Sequence, residues 1–514
     1  MRGERPSWFR LLLPALLALA LARPAAAVIK YRVSFEHPER HNFQVTVSVP
    51  AGNKDIVAAM PAWNALYQIR DFAYRVRSMA VLEANGSESH PQVPGELDKQ
   101  RWLLCHCASL KNRPRAITFQ YSVEWDDPGP FDSQINEHHS FLNLAEVLMY
   151  VPDRRSEPVE IQFDNVPADW KVIAELGAGP TPNSFVAPDY DALVDAPVEA
   201  GRFDEFDFDS AGVHFRVAVD SRGYNRTRLE DYLQRITGYE TRLMGGAPFK
   251  EYTFLLHIGS FPEAGEGGME HADSTAISAG SVEELMNLCA HEFFHAWNVK
   301  RIRPQALEPV DYTKEQYVRV LWFAEGVTST YAAYTLERVG LWSKSQFYAD
   351  LASQVTDLES RPARRWQSVE DSSLDAWLEK YPEYNAPSRS ISYYDKGQIL
   401  GVMLDLAIRD ATDNRKSLDD VMRLMDDEYA KAGKFYNGDD AIRAAVEKVA
   451  SANFEDFFGR YVAGVDEIPY DKFLSSAGLE LKPGASAYSI IETPHPTERQ
   501  RRILDGLLQG TTNP

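Results

Sequence analysis

Cysteine is scarce, three in 514 residues, too few for the disulfide framework that holds small secreted domains together. Cys105 and Cys107 lie two apart in the apolar run Trp102 to Cys107, where a strand would aim both at one face and strain a bridge. With Cys289, in a predicted helix, they read as small buried hydrophobes, an occasional pair aside. Positive charge is also short: 54 Lys and Arg face 75 Asp and Glu, a net charge of −21. Neither nucleic acid nor an anionic membrane surface is then the expected partner, since both are gripped by clustered Lys and Arg. Gly and Pro number 30 each, average usage, which excludes a collagen-like or low-complexity chain. No internal repeat of fixed period is visible. Long hydrophobic runs are missing too: Leu11 to Ala22 spans 12 residues, against the ~20 of a membrane-spanning helix.

That run follows Arg2, Arg5 and Arg10 and precedes Ala25-Ala26-Ala27. Basic start, short apolar stretch and small-residue cleavage site together make a secretory signal peptide, residues 1–27, with the cut predicted after Ala27. The mature chain is expected to be secreted or periplasmic. No Cys follows the run, so a lipid anchor is not indicated, and Asn85 and Asn225 head N-glycosylation sequons.

Past the leader the hydrophobic period is two: Ile29, Tyr31, Val33, Phe35, then Phe43, Val45, Val47, Val49, later Ile117, Phe119, Tyr121, Val123. Such alternation predicts half-buried antiparallel strands and an N-terminal β domain over 28–200. Near Arg226 the pattern turns helical, with one strand at Tyr252 to Ile258 and a loop holding Glu266, Gly267 and Gly268. The expected class is α+β: the β domain, a second domain over 201–410, a C-terminal helical region over 411–481 and a tail over 482–514 with a short helix at Glu498 to Leu508.

The strongest local signal is His291-Glu292-Phe293-Phe294-His295. Histidines four apart share one helix face and can grip one ion, with the intervening Glu in reach of water on it. Ser281 and Glu284 supply a capping pattern, and Leu285, Leu288 and Cys289 continue the apolar stripe. A catalytic zinc takes three protein ligands, and Glu325 is the candidate third. The segment Thr313 to Arg338 predicts a helix, opened by Thr313-Lys314-Glu315-Gln316, with Tyr317, Leu321, Glu325, Thr328 and Ala332 on one stripe. The plainer alternative pairs Glu325 with an Arg such as Arg319.

The residues after the second histidine, Ala296-Trp297-Asn298-Val299-Lys300-Arg301-Ile302-Arg303-Pro304, and then Leu321-Trp322-Phe323-Ala324-Glu325-Gly326, resemble the secreted glycyl aminopeptidase family of zinc metallopeptidases. Gly267-Gly268-Met269-Glu270-His271 is similar to the exopeptidase motif of that wider group, with His271 where relatives often have Asn. Ser392-Tyr393-Tyr394-Asp395-Lys396-Gly397 resembles its catalytic-tyrosine motif, and Ile69-Arg70-Asp71-Phe72-Ala73 a stretch of the family's N-terminal domain. The resemblance runs from about residue 28 to 480. Many members carry a PDZ domain near the C-terminus; only ~35 residues follow Leu481, short of the ~50 of a domain.

The resemblance implies a thermolysin-like catalytic domain over 201–410 and one zinc per chain on His291, His295 and Glu325. It further implies Glu292 as general base, Tyr394 as oxyanion donor (Tyr393 if the alignment slips by one) and Gly267, Gly268, Met269 and Glu270 along the substrate, with Glu270 on its free ammonium. The expected activity is removal of N-terminal residues, Gly or Ala, from peptides. A zinc endopeptidase of the same fold and a non-catalytic binding protein are the alternatives; oligomeric state is unreadable. His138-His139 read as surface and core neighbours, because adjacent strand residues face opposite ways. Asp204 to Asp209 read as a solvated edge strand instead of a calcium loop.

Overall fold

The computed structural model describes residues 28–64, 66–82, 92–111, 115–259 and 267–510. The leader, Asn85 and Glu266 lie outside them. Strand Ile29–Ser34 sits in the middle of a seven-stranded sheet, with Tyr31 opposite Val47 and Val47 opposite Phe119. These side chains are buried while Lys30 and Arg32 are exposed, as the period of two requires. One pair departs from the expected antiparallel order: Ile29–Ser34 runs parallel to Val159–Asp164. A four-stranded sheet and a three-stranded sheet complete the N-terminal part.

A five-stranded mixed sheet follows, whose outer strand Asp204–Ser210 alternates exposed acids with buried Phe206 and Phe208. Strands Val213–Ser221 and Glu251–Ile258 are parallel, so a crossover must join them, and helix Arg226–Leu243 does. Asn225 caps that helix, accepting from the Arg228 N–H at 3.1 Å. The opposite edge strand is Gly267–Glu270, antiparallel to Ser274–Ala279 with Gly268 opposite Ile277 and Glu270 opposite Thr275. Gly267 and Gly268, expected in a loop, are therefore strand residues.

Helix Val282–Phe294, capped by Ser281, buries Leu285, Cys289, Ala290, Phe293 and Phe294, with Phe293 edge-on to Tyr252 of the sheet at 5.0 Å. The predicted helix from Thr313 begins only at Leu321. Before it, Gln316 spends its side chain on the Asp311 N–H and the Ala306 and Pro309 carbonyls, and Thr313 donates to Asp311. Those bonds hold an irregular turn, and Tyr317 is 58% exposed instead of facing the core. From Leu321 the chain makes π-helical turns, Trp322–Val327, and then helix Thr328–Arg338.

The long helix Tyr393–Thr412 crosses that segment at almost bare backbone. A Cβ on Gly326 would lie 2.4 Å from the Gly397 Cα, and one on Gly401 would lie 2.2 Å from the Thr330 Oγ1. Only glycine allows this approach, and it brings Glu325 beside Tyr393 and Tyr394. The division drawn at 410 falls inside this helix, and that at 481 inside the hairpin Leu479–Pro483/Tyr488–Glu492. The terminal helix Glu498–Gln509 is docked through Ile503, Leu504 and Leu507, and Arg338 donates to the Leu507 carbonyl at 2.9 Å. Cys105 ends its strand and Cys107 opens a 3₁₀ turn, so strand geometry does not constrain the pair; their Cα atoms are 5.1 Å apart and the sulfurs are bonded. Cys289 is buried and free. No helix among the described residues is long and apolar enough to cross a membrane.

Candidate active site

His291 projects from the last turn of helix Val282–Phe294, His295 caps the C-terminus of that helix, and Glu325 projects from the π-helical turns packed against it. The π geometry, common where side chains are re-aimed for function, belongs to the turn that carries the carboxylate. The Nε2 atoms of the histidines are 3.0 Å apart, and Glu325 Oε2 is 3.5 Å from the first and 3.2 Å from the second. Arg319, offered as a plainer partner for Glu325, pairs with Asp371 at 3.0 Å instead.

Hydrogen bonds fix both tautomers. His295 Nδ1 donates to the Asn298 carbonyl at 2.6 Å. Ser329 Oγ gives its proton to the Glu325 carbonyl at 3.1 Å and accepts from His291 Nδ1 at 3.2 Å. Each Nδ1 thus carries hydrogen and each Nε2 is left to present its lone pair. Two lone pairs and a carboxylate oxygen converging within 3.5 Å repel one another unless a cation sits among them. A tetrahedral ion with ligands at ~2.0–2.1 Å sets its ligand atoms ~3.3 Å apart, so the donor set fits zinc. Without the ion, burial lowers the His291 pKa. Burial acts against charge at His295 as well, but the Glu325 carboxylate pushes it up to about 10, and Glu325 is held far below its usual range by the same pair. Ser329 and Asn298 are site residues the motif did not single out; Ser329 stands one turn after Glu325 and Asn298 within the quoted run.

Glu292 is 5% exposed, its Oε2 has no hydrogen-bond partner, and burial pushes its pKa up to about 8. Against it lies the edge strand. One carboxylate oxygen of Glu270, one of Glu292 and a ring nitrogen of His295 lie within 4.8 Å of one another. A Cβ on Gly268 would stand 2.4 Å from Glu292 Oε1 and 2.5 Å from its Cγ, and one on Gly267 would strike the Phe131 ring at 2.6 Å. Gly268→Ala is therefore expected to push the Glu292 carboxylate aside and cost about 10²-fold in kcat, the order of a ~1 Å misplacement, with metal content unchanged; kinetics beside metal analysis of the variant checks it. Met269 is buried in the wall of the cleft.

Tyr393 and Tyr394 open the long helix, capped by Ser392, and both line the metal cleft. Tyr393 is 2% exposed and Tyr394 38%, its ring 6.2 Å from that of His291. The cleft, about 150 Å³, gathers every sequence-predicted site residue except Gly267, which abuts it through Phe131. It also holds Tyr67, Phe131 and Glu379, which no local pattern marked. The N-terminal stretch around Arg70 bears on it indirectly: Arg70 donates to the Phe131 carbonyl at 2.7 Å and pairs with Asp132 and with buried Glu146. His138 is exposed and His139 buried against Glu199 at 3.0 Å, away from this cleft.

Two family models match the sequence: the M61 glycyl aminopeptidase over 284–400 and the peptidase M61 N-terminal domain over 30–202, together more than half of the chain. Among solved structures, an aminopeptidase N family protein from Idiomarina loihiensis is similar at 26% identity and a TM-score of 0.81, over 88% of this chain and 79% of that one. An M1 zinc metallopeptidase from Deinococcus radiodurans shares the fold at 16% identity and a TM-score of 0.52, over 87% of this chain and 95% of that one. A form of that enzyme bound to a Tyr-Ser-Ala substrate gives 15% and 0.51, over 86% and 95%. No curated protein sequence matches the chain. With both family models in chain order and the paired histidines, the Glu and the edge-strand motif drawn into one cleft, this chain belongs to the M61 glycyl aminopeptidase family of metallopeptidases.

Proposed function

We propose that this metallo-aminopeptidase is an exported zinc enzyme, secreted or periplasmic, that removes small N-terminal residues, Gly or Ala, from peptides. The observation that carries the exopeptidase mode is Glu270: a carboxylate on the edge strand, beside the base and the ligands, where a substrate's ammonium would lie. The small-residue preference follows the family name, and export follows the leader at 1–27.

In this reading His291, His295 and Glu325 hold zinc, which when bound supplies a Lewis acid that polarises the scissile carbonyl and acidifies water. Glu292 takes a proton from the attacking water and returns it to the leaving amine. The Tyr394 hydroxyl donates to the oxyanion that develops on the carbonyl, while Tyr393, deeper in the fold, packs beneath it. The ammonium held by Glu270 fixes how far the chain enters, so cleavage falls after one residue.

Two expected results test this. Elemental analysis of active protein should find one zinc per chain, chelation should abolish turnover, and Glu325→Ala should lower occupancy because two histidines under-coordinate the ion; full activity with far less than one zinc would refute the assignment. Tyr394→Phe should lose about 10²–10³ in kcat. Comparable loss in Tyr393→Phe, with Tyr394→Phe near normal, would transfer the role to the neighbour.

A further inference from the structure

Behind Glu270 lies a second cavity of about 360 Å³, larger than the metal cleft of about 150 Å³. The two spaces share three wall residues, Tyr67, Met269 and Glu270. Glu270 is the carboxylate assigned to the ammonium and Met269 is buried, which leaves the half-buried Tyr67 as the bulky side chain at the junction. Its hydroxyl feels groups of both spaces. Burial raises its pKa, Glu325 and Glu270 add to that, and Arg303 opposes it. Of these, Glu325 lines the cleft and Arg303 the cavity.

The ring of Tyr67 is held where it stands. It meets Trp377 edge-on at 6.1 Å, and Trp377 meets Trp63 edge-on at 5.1 Å, both tryptophans being buried. Trp63 is tied in turn through its Nε1, which donates to the Asp311 carbonyl at 2.7 Å. The chain on either side of Tyr67 is drawn together by the Ala62 carbonyl, which accepts from the N–H groups of Arg70 at 2.7 Å and Asp71 at 2.9 Å. A ring packed in this way yields little to a larger group pressed against it. Beyond it the cavity offers room and apolar surface from Trp63, Val194, Leu307 and Val310.

We propose that Tyr67 sets the size limit on the substrate's N-terminal residue: its ring closes the cavity to the cleft, so that Gly and Ala fit and longer side chains strike the ring. The proposal rests on the aminopeptidase reading above and deepens it by naming the residue behind the small-residue preference. With its ammonium on Glu270 and its carbonyl at the metal, the first residue is pinned at both ends beside the shared wall. The cleft must also take the scissile peptide and a water, so a side chain longer than a methyl group has to leave it. The cavity is the space such a side chain would enter, and truncating Tyr67 joins the two.

The test is a kcat/KM panel of Gly, Ala and Leu reporter substrates, each also in N-acetylated form, on the purified, zinc-loaded full chain. Wild type should favour Gly and Ala over Leu. Tyr67→Ala should raise the Leu-to-Ala ratio by about 10- to 100-fold, the order by which a hydrophobic pocket discriminates side chains by size. Tyr67→Phe, which keeps the ring, should leave the ratio at its wild-type value. Adding Ala192→Phe to Tyr67→Ala, which fills the cavity from helix Tyr190–Val194, should bring the ratio back down. Should Tyr67→Ala fail to fold, Tyr67→Val carries the same test. A ratio that truncation does not move, a gain that survives Ala192→Phe, or a wild type that cleaves Leu as fast as Ala would each overturn the proposal, and with acetylated forms inert the aminopeptidase reading would stand. Acetylated substrates cleaved as fast as free ones would remove that reading and this one with it.

Discussion

Glu292→Gln should keep its fold and its zinc and lose about 10²–10⁴ of its turnover, the contribution of a positioned general base. The change is nearly isosteric, which matters here because Gly268 leaves no slack: the Glu292 side chain lies against the bare backbone of the edge strand. What Gln removes is proton acceptance. The unpartnered Oε2 is the atom free to take that proton, and burial already raises its affinity for one. The loss should appear in kcat with KM little changed, since no substrate-binding contact is deleted. A variant that retains zinc and turns over at the wild-type rate would exclude Glu292 as the base.

Glu270→Ala should depress turnover of free-amine substrates by roughly 30-fold to several thousand-fold. The figure follows from the cost of leaving one member of a desolvated charged pair alone, about 2–5 kcal/mol, at 1.4 kcal/mol per factor of ten. The same variant should hardly change the low rate on N-acetylated substrates, which lack the cation. A structural role for Glu270 would slow both substrate types alike, so the ratio between them separates anchoring from scaffolding. Zinc occupancy should be intact, because Glu270 approaches His295 without belonging to the triangle of His291, His295 and Glu325.

The histidine pair was legible because its chemistry is local: His291 and His295 share one face of a helix whose cap and apolar stripe are written in the same fifteen or so residues. Glu325 was legible through the stripe of Leu321, Thr328 and Ala332, although the helix was extended too far back. Side-chain bonds from Thr313 and Gln316 into their own loop compete with helical hydrogen bonding there, and propensity patterns do not register that competition. The strand nature of Gly267 and Gly268 was missed because two glycines read as a loop, whereas here they clear space for Glu292 and Phe131. Tyr67, Phe131 and Glu379 reach the cleft from connections far apart in the chain, where no periodicity marks them. The hairpin at 479–492 was likewise unread: its strands are five residues each and bury only Leu479 and Ile490. The family resemblance supplied the roles of Tyr394 and Glu270, which composition and spacing alone leave as a packed aromatic and an ordinary acid.

The central claim is that one metal cleft cuts after the first residue of a chain whose ammonium is held by Glu270. The most direct measurement is mass spectrometry of a single peptide beginning with Gly or Ala, offered to the zinc-loaded wild-type chain in free and N-acetylated forms. The account predicts loss of the N-terminal residue from the free peptide and an intact acetylated peptide over the same time. Internal cleavage of both forms at equal rates would contradict it and assign the same zinc site to an endopeptidase.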